Sequence, residues 1–138
     1  MAAGGGQQPA RFSSIAAKAI KFYYAEHMAK GERLGELEHI VLLAVLRLGA
    51  DAYGVPIRAD IEQRTGRSLT VGALYRTLDR LEDKGYLESW VGEPTPQRGG
   101  RSKRYFKLRP PGIKTLRASR DALTAMWDGL ERLVMRGS

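Results

Sequence analysis

The sequence predicts a mainly α domain with one small β-hairpin and a separate terminal helix. Three observations carry this expectation. Segments between Leu34 and Gly85 place apolar residues at helical spacing and stop at glycines. Two short segments between Tyr86 and Arg109 alternate instead, and the last segment repeats apolar residues over three heptads. A chain of 138 residues is one domain's worth and buries a core without metals or disulfides.

The first ten residues, MAAGGGQQPA, are small and polar, a composition that does not fold alone. Residues 11–30 then place Phe12, Ile15, Ala19 and Phe22 or Tyr23 at helical spacing, with Lys18 and Lys21 between them. A transit peptide, a surface-binding helix and an extension packed on the domain or on a partner all fit that pattern. Met28 stands just before the compact region, so the upstream part reads as a peripheral addition or as a misassigned start.

In the next segment Leu34, Leu37, Val41, Ala44, Val45 and Leu48 form one stripe, a buried amphipathic helix stopped by Gly49. Gly54 permits a turn, and Pro56 suits the start of a second helix that ends at Gly66. The short gap between these helices is that of a helix-turn-helix pair. Thr70 is the expected N-cap of a third helix that Gly85 terminates, with Val71, Leu74, Leu78 and Leu81 as its core stripe. Opposite that stripe lie Gly72, Ala73, Arg76, Asp79, Arg80 and Asp83. Arg76 and Arg80 are like charges one turn apart, which Asp79 and Asp83 or an external anion would relieve.

YLESWVG and KRYFKLR read as two strands, with Phe106 and Leu108 turned inward. Between them, two prolines stiffen EPTPQRGGRS and Gly99 and Gly100 allow the reversal. After the PPG break at 110–112, Ile113, Leu116, Leu123, Trp127, Leu130 and Val134 follow the heptad repeat, broken by Arg120. Such a face suits a subunit interface or a core helix folded back on its own domain; heptad spacing in a terminal helix favours the interface. The expected divisions are therefore an extension over 1–30, a domain over 31–112 and a terminal helix over 113–138.

The net charge of +8 is unevenly placed, at +5 over residues 93–112 and −2 over residues 31–92. A positive patch on a near-neutral body is the footprint of a polyanion binder, with nucleic acid ahead of acidic membrane. The absence of cysteine excludes disulfides, thiolate metal sites and a cysteine nucleophile. His27 and His39 have no evident carboxylate partner, and no serine, histidine and acid arrangement stands out, so neither metal nor cofactor nor enzymatic chemistry is expected. GGRSK lacks the spacing of a phosphate-binding loop and precedes a strand. No run is long enough to span a membrane and no secretory signal is evident, so a soluble cytoplasmic protein is expected.

Three helices followed by a hairpin with a basic tip is the order of a winged helix-turn-helix. GALYRTLDRLEDKGYLES, from Gly72 to Ser89, and GGRSKRYFKLRPPG, from Gly99 to Gly112, resemble the PadR-like family of winged-helix transcriptional regulators. The likeness runs over about 31–135 and includes LGELEHIVLLAVLRLG and YGVPI. It implies a dimeric, ligand-responsive bacterial repressor of double-stranded DNA, with the third helix as recognition element, the hairpin as wing and the terminal helix as dimerisation arm. A single short terminal helix is similar to the smaller members. Arg76 follows Tyr75 where many relatives carry proline, so contacts at that position are not carried over.

From the residues, Gly72, Ala73, Arg76 and Arg80 are expected to face the DNA groove, and Thr70 to reach a phosphate. Arg98, Arg101, Lys103 and Arg104 are expected at phosphate or the minor groove, and Tyr75, between the core and groove faces, is expected either to contact a DNA phosphate or to pack in the core. Trp127 is placed either to anchor the dimer or to line a gap for a small aromatic or hydrophobic effector. A different reading is a protein- or membrane-interaction module that uses the basic N-terminal helix.

Overall fold

The computed structural model describes Lys18 and residues 34–93 and 102–136. The expected helix over 11–30 lies outside these residues apart from Lys18, which is helical, and so do Arg98 and Arg101 at the wing tip. The chain divides into two units, Leu34–Leu116 and one that includes Arg117–Ser138.

The first unit opens with α1 (Glu36–Leu48), a 3-10 turn (Gly49–Asp51) and α2 (Gly54–Thr65). It continues through α3 (Val71–Asp83), β1 (Leu87–Val91) and β2 (Arg104–Leu108), and α4 (Pro110–Trp127) begins within it. Gly49, Gly66 and Gly85 take positive φ beyond the helices they end, where the sequence places the stops. In α1, Val41, Leu42, Ala44 and Val45 are buried, while Leu34, Leu37 and Leu48 pack at the edge of the core. Leu42 was not on the expected stripe, and its full burial means that α1 is covered on more than one side.

Ile57 and Ile61 of α2 and Leu74, Leu78 and Leu81 of α3 complete the helical part of the core. Val71, the first residue of α3, is 53% exposed. The expected stripe therefore starts one turn too early, because the first turn of α3 projects beyond the core.

The strands pair antiparallel, with Leu87 opposite Leu108, Ser89 opposite Phe106 and Val91 opposite Arg104. Leu87, Phe106 and Leu108 seal the lower core, whereas Val91 is exposed, since the hairpin has by then left the body. A third rung was not foreseen: Phe106 N–H donates to Ala52 O at 2.9 Å, and Tyr53 bridges Tyr105.

The PPG segment does not interrupt the chain before a helix at Ile113; it forms the first turn of α4. Proline is tolerated there because first-turn N–H groups have no intrahelical acceptor. At the other end the expected continuous helix stops at Trp127, Gly129 takes φ +80, and α5 (Glu131–Arg136) follows.

Candidate nucleic-acid interface

Thr70 caps α3 as the sequence predicts: its hydroxyl accepts the Ala73 N–H at 3.1 Å. The exposed first turn carries Val71 and Gly72, with Ala73 half-buried behind them. Arg76 is exposed, and it has no hydrogen bond or ion pair among the described residues. A Cβ on Gly72 would stand 3.3 Å from Arg76 Nη1, so the bare glycine leaves room for the guanidinium to lie along the helix start. A small-residue helix N-terminus beside an unpaired arginine can approach a polyanion closely and offer it a bidentate donor.

Tyr75 resolves toward the body of the domain. It packs half-buried against the core, and its hydroxyl occupies the space that a Gly54 Cβ would need. Glycine at the first position of α2 is thus a requirement of close approach by Tyr75.

Two arginines near this face, Arg80 of α3 and Arg104 of β2, pair with acidic side chains of the protein. Arg80 Nε donates to Glu38 Oε2 at 3.2 Å, and Lys84 Nζ donates to the same oxygen at 2.9 Å. The other oxygen, Oε1, accepts the Gly35 N–H at 2.8 Å, so one buried carboxylate joins the start of α1 to the second half of α3. Burial favours the neutral acid, but the Gly35 N–H and the Lys84 and Arg80 cations outweigh it and hold the Glu38 carboxyl below its ordinary range. Arg80 keeps much of its side chain in solvent, so Glu38 orients it without hiding it.

Arg104 is tied more fully. Nη1 donates to Asp79 at 2.9 Å, Nη2 to Glu82 at 2.5 Å and Nε to Ser89 Oγ at 3.2 Å. Burial opposes its charge, but hydrogen bonding and attraction from Asp79 and Glu82 prevail and raise its pKa above the ordinary arginine value. Asp79, expected to relieve Arg76 and Arg80 within the helix, instead faces the wing.

Lys103, at the described edge of the wing, has its ammonium over the Tyr53 ring at 4.8 Å. Tyr53 meets Tyr105 edge-on at 5.4 Å, and Tyr105 stacks on Trp90 at 6.0 Å. This row of rings on the outer sheet face was not foreseen, because its third member comes from the turn before α2. Glu38 was missed as a site residue although its position three after Gly35 is the capping-box position. Among the described residues no group of His, Asp and Glu is placed to hold a metal ion.

Along the terminal segment Leu123, Trp127, Leu130 and Val134 are between 46% and 55% exposed, and Ile113 is 41% exposed. Leu116 departs from that stripe: at 6% exposure it belongs to the core of Leu34–Leu116. Among the described residues no helix is long and apolar enough to cross a membrane.

Residues 42–118 match the model of the Transcriptional regulator PadR-like family. Among solved structures, a transcriptional regulator from Clostridium thermocellum is 24% identical with a TM-score of 0.56, over 70% of this chain and 88% of that one. A PadR family transcription regulator from Clostridium difficile is 23% identical with a TM-score of 0.53, over 70% and 98% of the two chains. A PadR family regulator from Eggerthella lenta is 19% identical with a TM-score of 0.55, over 91% and 96%. At these identities the structures share the winged-helix fold.

Proposed function

This chain belongs to the PadR-like family of transcriptional regulators, and from that premise we propose that it is a dimeric repressor that binds double-stranded DNA sequence-specifically. The observation that carries the reading is the start of α3, where a Thr70-capped, small-residue turn sits beside an arginine with no intramolecular partner among the described residues. In this mechanism the first turn of α3 enters the major groove, Gly72 and Ala73 permit close approach, and Arg76 pairs with a base edge or a phosphate. Thr70 contributes its hydroxyl to a phosphate, and Arg80, oriented by Glu38, reaches the flanking backbone. Lys103 and, beyond the described residues, Arg98 and Arg101 supply the wing's contact with phosphate or the minor groove.

The exposed apolar residues Ile113, Leu123, Trp127, Leu130 and Val134 provide a self-association surface, which puts two recognition helices on a two-fold operator. Trp127 anchors that contact and lines the gap in which a small aromatic or hydrophobic effector binds. The protein acts in the cytoplasm, where the DNA is.

Selection from a pool of random duplexes tests this reading. Enrichment of an inverted repeat, with half-sites about one helical turn or a multiple apart, is the expected result. A pool that stays unenriched after repeated rounds contradicts it.

A further inference from the structure

Arg104 begins β2 on the basic run that leads to the hairpin tip, where a cation is ordinarily read as a phosphate ligand. Its guanidinium points the other way. All three nitrogens donate to protein groups: Nη1 and Nη2 to Asp79 and Glu82 of α3, and Nε to Ser89 of β1. Ser89 Oγ lies 3.0 and 2.9 Å from the two Glu82 carboxylate oxygens, so the strand and helix partners are themselves joined. The guanidinium carbon lies 4.9 Å from the centre of the Phe106 ring, which fixes the remaining direction of the group.

Asp79 and Glu82 stand on the same helix whose first turn carries Gly72, Ala73 and Arg76. The fork therefore connects the wing to the groove-facing helix by a rigid, planar, multiply bonded group, which lysine cannot reproduce. Its single positive charge also offsets part of the charge of two carboxylates on a helix read as approaching a polyanion.

We propose that Arg104 is a positioning residue that sets the angle between the wing and the recognition helix, and that it is not a phosphate ligand. The proposal rests on the DNA-binding reading above, and two readouts separate their fates. In the full chain, Arg104→Lys, Arg104→Glu and the exchange of Arg104→Glu with Glu82→Arg are compared for duplex affinity across salt concentrations. Hydrogen exchange of the hairpin amides is followed without DNA.

A positioning role predicts that Arg104→Lys loses roughly tenfold in affinity, as for one charge-assisted bond, with an unchanged salt slope. Hairpin amides such as that of Gly92 exchange faster in this variant, and the exchanged pair recovers most of the affinity lost in Arg104→Glu. Wild-type affinity in Arg104→Lys, with an exchanged pair no better than Arg104→Glu, overturns the proposal and makes Arg104 a phosphate ligand. Unchanged hairpin protection in Arg104→Lys also overturns it, whatever the DNA result. If the wild type binds no duplex specifically while Arg104→Lys still loosens the hairpin, the DNA reading falls and the fork stands.

Discussion

Glu38 and Arg76 illustrate opposite uses of charge on neighbouring surfaces. Glu38 has both oxygens satisfied, by Gly35, Arg80 and Lys84, and its pKa lies below the ordinary 4.5. A carboxyl with a depressed folded-state pKa contributes stability that is present above about pH 4.5 and lost as the pH falls through its folded value. Glu38→Gln should therefore lower stability at neutral pH by about 2 kcal/mol and flatten its decline in acid, as read by denaturant titration at a series of pH values. Arg76 makes no such pair among the described residues, so Arg76→Ala should leave the melting temperature unchanged and relax preference at one operator position, at a cost of about 1–3 kcal/mol against the preferred site. Competition binding with single-base operator variants reads that difference. The exposure of Arg76 was legible from its place opposite the core stripe. The engagement of Arg80 and Arg104 was not, since Glu38 reaches Arg80 from α1 and Arg104 reaches Asp79 and Glu82 of α3 from the wing, whereas spacing within α3 suggested only pairs inside the helix.

The helices of the first unit were legible because apolar periodicity, a threonine cap and glycine stops agree on the same boundaries. The start of α4 was not, because prolines that break a helix interior are equally at home in a first turn. The short rung at Ala52 and Tyr53 was hidden for another reason: two residues are too few to show alternation, and only the arrival of β2 gives them a partner. α2 and α3 also depend on each other where Tyr75 covers Gly54. Gly54→Ala should cost about 1–3 kcal/mol from overpacking, and in combination with Tyr75→Ala the two losses should be clearly non-additive in thermal or denaturant unfolding. Additive losses would mean that Tyr75 yields freely and does not fix the α2 start.

On the proposed reading of a dimeric repressor, a recognition helix, a wing and a self-association surface must act together. The terminal apolar stripe was legible as a heptad repeat, but not its interruption at Gly129 or the burial of Leu116 in the core of Leu34–Leu116, since heptad spacing alone does not say which apolar positions a domain covers. Replacing Leu123 and Trp127 by glutamate should convert the proposed dimer to monomer in sedimentation and reduce operator affinity at least tenfold, since one half-site is then bound alone. With Trp90 replaced by phenylalanine, quenching of Trp127 by planar aromatic compounds should report an effector; constant fluorescence would leave Trp127 as an anchor alone.

The most direct test of specific DNA binding is an anisotropy titration of the full chain on duplex from its own upstream promoter and on a scrambled duplex, at about 50 mM and about 200 mM salt. Affinity for the promoter should be at least about 10³ tighter than for the scrambled duplex. Both affinities should fall steeply between the two salts as phosphate contacts are screened. Equal affinity for the two duplexes, or no salt dependence, would contradict it.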